Sequence, residues 1–217
     1  MFFEGEPRPV WERVPVGEAG HDLGEISQES VYLEDLYGEE PEYLFVHRGD
    51  VTVAGPLVAE DDWGDEISTM YVIEGDLTVH GPAVFRNMDS NTALYVTGSV
   101  RVRDLACSWH GQLFVGGALV VEGVLFTRFD DAGHLVVHGS FSAGVWIEGG
   151  GRGAIYLPEV SGARLIGAAD GPYFGAGAVV EGFADGVVAE FLDEDGRPVR
   201  DLVEKALLDG RSPVRVG

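Results

Sequence analysis

The side chains able to do chemistry fall in three places along the chain. Cys107, Ser108 and His110 stand close together in Asp104-Leu105-Ala106-Cys107-Ser108-Trp109-His110-Gly111. A thiol or hydroxyl nucleophile needs a base within hydrogen-bond reach, and acyl transfer also needs donors aimed at the oxyanion. This stretch offers no nucleophile elbow and no oxyanion donor that can be named. It reads as a loop carrying a packed Trp109.

The second place is histidine-rich. His134 and His138 would share a metal on a helix, but on a strand they stand about 13 Å apart, at about 3.3 Å per residue. His110 and His134, with Asp130 or Asp131, could be neighbours in adjacent loops and are the only candidates for a zinc site. No metal and no cofactor is expected. The third place is Glu60-Asp61-Asp62-Trp63-Gly64-Asp65-Glu66, the densest acidic run. It lacks the ordered ligand spacing and closing Glu of a calcium loop. As a solvated loop it needs no ligand, yet Glu60, Asp61, Asp62, Trp63, Asp65 and Glu66 could also anchor a basic protein surface.

These residues hang on a repeat. A nine-residue phrase recurs at Tyr71–Val79, Leu94–Val102, Leu113–Val121 and Leu135–Ala143, with a looser copy at Phe45–Val53. Its central glycines are Gly49, Gly75, Gly98, Gly117 and Gly139, in steps of 26, 23, 19 and 22 residues. Recurrence at that period marks a stacked array. Positions 1, 3, 7 and 9 are nearly all large and apolar, so alternation places them on one face of an extended chain. The glycine permits a bend between two short strands. One such pair cannot bury its face alone, whereas a stack lets each coil cover the next. Asn-Gly and Asp-Gly hairpin signals are missing between the copies, which argues against an antiparallel sandwich. The expected fold is all-β: a single parallel β-helix, or β-solenoid, with short helical caps at both ends. Residues 1–43 form the acidic N-terminal segment and cap, 44–192 the solenoid, and 193–217 the C-terminal linker and capping helix.

The caps are read from pattern. Ile26–Tyr37 could form a short helix over the first coil, hiding a strand edge that would otherwise pair with other chains. Near Pro198–Leu208 a helix with Leu202, Val203, Ala206 and Leu207 as its apolar stripe would close the other end, stopped by Gly210 and Pro213. Ala154–Leu157, Ala163–Ile166 and Ala178–Val180 look like further short strands. Position 2 of the phrase should face solvent but reads Val46, Val72, Tyr95, Phe114 and Val136. Such an apolar column implies a cover, either a terminal segment, a second copy or another partner.

The 217 residues carry a formal charge of −23. That field repels nucleic acid and anionic membranes and steers basic partners inward, although solubility alone is the plainer reading. A single Cys107 excludes an internal disulfide and suits a reducing compartment. No apolar run reaches membrane-spanning length and the start lacks a secretory pattern, so a soluble cytoplasmic protein is expected.

The Val-x-x-Gly-Asp-Leu-x-Val phrase at 72–79 and its Val-x-x-Gly-Asp-Val-x-Val variant at 46–53, with Tyr156-Leu157-Pro158-Glu159-Val160, resemble bacterial cytoplasmic β-helical proteins. These are the bactofilin-like, polymer-forming proteins and related uncharacterised members. The resemblance implies a β-helix and allows self-assembly. Taken together, the expectation is a non-enzymatic module binding a basic protein, for instance an immunity protein neutralising a toxin. A self-assembling structural protein, possible as a homo-oligomer, is the alternative, and a polysaccharide-acting β-helix enzyme the lesser one.

Overall fold

In the computed structural model the repeated phrase winds into a parallel β-solenoid of about five turns. The structure describes residues 3–4, 9–21, 42–60, 68–87, 91–130, 133–160, 162–168, 173–174 and 178–215. After β1 (Phe3–Glu4), β2 (Glu12–Pro15) and a helical turn α1 (Val16–Ala19), coil one comprises β3 (Tyr43–Arg48), β4 (Val51–Val53) and β5 (Leu57–Glu60). The next coils are β6 (Ser68–Glu74) with β7 (Leu77–Asn87), then β8 (Asn91–Val96) with β9 (Val100–Trp109). They are followed by β10 (Gln112–Val115) with β11 (Leu119–Phe129), then β12 (His134–Val137) with β13 (Phe141–Gly151). The winding fades through β14 (Ala154–Tyr156), β15 (Arg164–Ile166) and β16 (Val180–Glu181). First strands of successive coils stack into a seven-stranded sheet and second strands into a nine-stranded one.

Each phrase therefore starts in one sheet, bends at its glycine and continues in the other. Ile73, Val96, Val115 and Val137 join Leu77, Val100, Leu119 and Phe141 in one core cluster between the sheets. The bend needs glycine because successive coils touch there. A Cβ on Gly75 would lie 2.6 Å from the Gly49 carbonyl carbon, and one on Gly98 would lie 2.6 Å from the Gly75 oxygen. Only Gly49 among the five has a left-handed φ, of 105°. The requirement at the other bends is close approach, not unusual dihedrals.

The residue after each of the first three glycines ties the coils together. The Asp50 carboxylate accepts the Asp76 N–H at 2.9 Å, and that of Asp76 accepts the Ser99 N–H at 2.7 Å. Ser99 Oγ in turn accepts the Ala118 N–H at 3.1 Å. Asp104 repeats the device at another corner, accepting the Val124 N–H at 2.9 Å. These acids satisfy backbone donors that a bend would leave unpaired.

The strands of the nine-stranded sheet run longer than the phrase. Asp104–Trp109, expected as a loop, is the second half of β9, and Phe85–Asn87 ends β7. Coil-to-coil pairing continues there, as Phe85↔Cys107 and Cys107↔Thr127. Local turn residues therefore say less than the ladder available on both sides.

Both outer faces are covered by the chain itself. On the seven-stranded sheet Val46, Val72, Phe114 and Val136 are buried and Tyr95 is half-buried, in a cluster with Val14, Val16 and Ala19. The expected solvent-facing column is thus interior, matching cover by a terminal segment. On the nine-stranded sheet Val84, Ala106, Phe126, Ile147 and Ile166 pack against Val187, Phe191, Val203, Ala206, Leu207 and Val214. The C-terminal helix, α3 (Arg200–Leu208), follows α2 (Phe183–Gly186) and lies along this flank instead of closing the stack's end. Its buried face differs from the expected stripe as well. Leu202 is 44 % exposed, and Glu204 is buried in its place.

The N-terminal edges are closed by antiparallel strands: β1 on β5, and β2 on β3. The helix expected over Ile26–Tyr37 lies outside the described residues. Among the described residues no helix is long and apolar enough to cross a membrane.

Candidate functional site

Alternation along the nine-stranded sheet decides which reactive groups can meet. Cys107 points into the core and is fully buried, while its neighbour Ser108 faces the outer flank. Strand geometry thus holds the thiol and hydroxyl on opposite faces. Burial, reinforced by the charge of Glu204, pushes the Cys107 thiol far above its ordinary value, so it is no thiolate nucleophile. Ser108 Oγ donates to the Glu204 carboxylate at 2.5 Å, and Arg86 donates to the same carboxylate at 3.1 Å.

Arg86, Ser108 and Arg128 form one cross-coil row beneath α3. Arg128 donates to the Pro198 carbonyl, and Arg103 donates to that of Leu207 at 3.4 Å. Arg200 lies 3.9 Å above the Trp109 ring and pairs with Asp130 at 3.1 Å. Burial lifts Glu204 above the usual carboxylate range, with Ser108 and Arg86 opposing the shift. This flank is a clasp built from arginines, carbonyls and one interior carboxylate.

The metal candidates are divided between unlike surroundings. Asp130 is committed to Arg200, and His134 is buried with its ring stacked 6.4 Å from Phe114. His110 is half-buried after β9. Among the described residues no group of three or more His, Cys, Asp or Glu is placed to hold a metal ion. Glu60 ends β5 in register with Arg86, while Asp61, Asp62, Trp63, Asp65 and Glu66 lie outside the described residues.

A cavity that the residue pattern alone does not reveal opens at the C-terminal end of the lumen. β14 pairs with β12 only as far as Val136↔Tyr156. There the chain departs through Leu157 and Pro158, and proline has no N–H to extend the ladder. Val137 and His138 therefore lack the ladder partner that residues of each earlier coil find in its successor. The resulting space, about 350 Å³, is bounded by Val137, His138, Trp146, Ile155, Tyr156 and Tyr173, with Leu157 and Pro158 at its rim. Trp146 is fully buried, donates to Thr127 Oγ1 at 3.0 Å and meets the Phe174 ring edge-on at 5.1 Å. Tyr173 donates to the Gly153 carbonyl at 2.5 Å, and Tyr156 is 38 % exposed.

Beside this end sits Glu148, in register with Thr127 and on the lumen side that Trp146 occupies two residues earlier. It is 4 % exposed, and one carboxylate oxygen accepts the Gly150 N–H at 2.8 Å. Burial raises Glu148 above the ordinary carboxylate range, the Gly150 bond opposing. Burial, then the charge of Glu148, raises the Tyr173 phenol in the same way.

No family model, curated protein or solved structure matches the chain.

Proposed function

We propose that the protein is a non-enzymatic binding module whose rigid acidic surface captures a basic protein partner, for instance as an immunity protein captures a toxin. The observation that carries this reading is where the positive charge goes. Of 14 Lys and Arg in the sequence, Arg86, Arg103, Arg128, Arg164, Arg200, Arg211 and Arg215 all contact or belong to the C-terminal clasp. Glu159, Asp185, Glu194, Asp195 and Asp201 are exposed without a described cation paired to them. With 14 Lys and Arg against 37 Asp and Glu the net charge is −23, and half of the cations are engaged at the clasp. Such a field accelerates encounter with a basic partner and weakens with salt.

End-to-end assembly of the bactofilin-like kind would need free strand edges at both ends. Antiparallel β1 and β2 occupy those of β5 and β3 at the N-terminal end. A cytoplasmic setting, where Cys107 stays reduced, belongs to the same proposal.

Calorimetric titration with an arginine-rich peptide and with its glutamate-substituted counterpart tests the reading. Saturable binding of the basic peptide alone, declining steeply with added salt, is expected. Absence of binding at low salt would overturn it.

A further inference from the structure

We propose that the C-terminal end of the stack is an interface for a second copy of this chain, joined tail to tail about a two-fold axis. This inference is independent of the basic-partner reading and goes beyond it. Strands β6 to β13 are each paired on both edges. β14 and β16 instead finish the seven- and nine-stranded sheets, and neither gains a further strand among the described residues. Apolar groups stay open to water at the same end. Tyr156 extends the buried column in register with Val136 yet is 38 % exposed, and Val179, next to β16, is 87 % exposed. The cavity bounded by Ile155, Leu157 and Tyr173 opens here as well. An unpaired edge flanked by exposed apolar side chains is a template for adding a strand from another chain.

Charge and symmetry decide the occupant. Residues 134–182 hold two Arg against four Asp and Glu, a net −2 out of the chain's −23. A second copy, equally acidic, therefore meets little repulsion here, and a basic partner gains little. Head-to-tail contact would need a matching end, which the N-terminus does not supply. There β1 and β2 lie antiparallel on β5 and β3, and among the described residues only the three-residue β4 lacks an outer partner. β2 itself carries exposed Glu12 and Arg13 and ends in Pro15, and charged or proline-bearing edges resist strand addition. The contact is thus isologous and closes at two copies. A two-fold axis beside β14 sets that strand antiparallel to its own mate, so both backbones find partners.

Sedimentation equilibrium of the whole protein over a concentration series, at low and at moderate salt, tests the proposal. A monomer–dimer equilibrium without larger species is expected. It should tighten at moderate salt, because screening relieves the repulsion between two acidic copies. Tyr156→Asp and Val179→Asp should each raise the dissociation constant roughly tenfold, by placing like charges in one desolvated contact. Val10→Asp changes the net charge equally at a position 82 % exposed in the N-terminal segment, and should leave the dimer intact. All three side chains are exposed, and matching far-UV spectra would show that the variants fold.

A mass that stays monomeric at every concentration in moderate salt would overturn the proposal, leaving the end to another partner or to none. Species growing beyond two copies would overturn it too. So would a dimer that survives both C-terminal substitutions, or one that Val10→Asp weakens as much. If the dimer forms as described while the arginine-rich peptide fails to bind, the interface stands and the basic-partner reading falls.

Discussion

The two ends of the lumen are finished in different ways. At the N-terminal end Trp11 packs on the core, its ring 4.9 Å from Tyr71 and edge-on to His47 at 6.2 Å. Phe45 stacks on Tyr71 at 5.2 Å, and Arg13 sits 4.0 Å above the Tyr43 ring. Strands β1 and β2 turn antiparallel there and pair with β5 and β3. At the C-terminal end no antiparallel strand is added to either sheet among the described residues, and β14 stops one residue short of Val137. One end is a plug and the other a socket. Closing a β-stack requires both a paired edge and a large side chain over the lumen, and omitting the former at the second end leaves the cavity.

Substitutions at the two ends sharpen this contrast. Trp146→Ala should be the most damaging, at about 3–5 kcal/mol by chemical denaturation, because its ring is fully buried. Trp11→Ala, only partly buried, should cost about 1–3 kcal/mol. Equal losses would mean that the plug supports the fold as strongly as the wall of the socket.

Next in size are the bends. Gly139→Ala, whose Cβ would press to 2.6 Å from the Gly117 carbonyl carbon, should cost about 2–4 kcal/mol. Gly55→Ala in the first coil meets nothing within 4 Å and should stay within about 0.5 kcal/mol. A small loss at Gly139 would show that the coils nearest the socket can slide apart.

Glu148→Gln should stabilise the protein at neutral pH by about 1 kcal/mol, as it removes a buried charge. The native Glu148 is raised above its unfolded value, so its ionisation opposes folding. That penalty is complete above the folded pKa and fades as pH falls to the ordinary carboxylate range. Paired denaturation curves at neutral and acidic pH should therefore converge on acidification. Divergence would mean that Glu148 is stabilised as the anion.

Tyr156→Ala, at a 38 % exposed position, should have the smallest effect on stability, within about 0.5 kcal/mol by chemical denaturation. A large loss of stability would show that Tyr156 packs over the end of the stack as a structural cover.

Much of the fold could be read from the residues. Period-two alternation and the glycine spacing lead directly to the inward rows Ile73–Val96–Val115–Val137 and Leu77–Val100–Leu119–Phe141. The acid or serine after the glycine was equally visible at Asp50, Asp76 and Ser99, yet its role emerges only once the next coil's N–H is seen against it. The C-terminal helix was recognisable, but its orientation was not. An apolar Leu202 and a charged Glu204 invite the opposite assignment, and only the Ser108–Arg86 pair across the flank makes burial of Glu204 tolerable.

The sequence by itself thus determined the winding, because a short-range alternation repeated at near-constant period has one economical way to bury its apolar face. The socket was decided by tertiary structure alone. Its walls are collected from Val137, Trp146, Tyr156 and Tyr173, residues with no shared spacing, and they meet where the chain leaves the stack at Pro158. A repeat announces what each coil does to its neighbour; it is silent about the coil that has no successor.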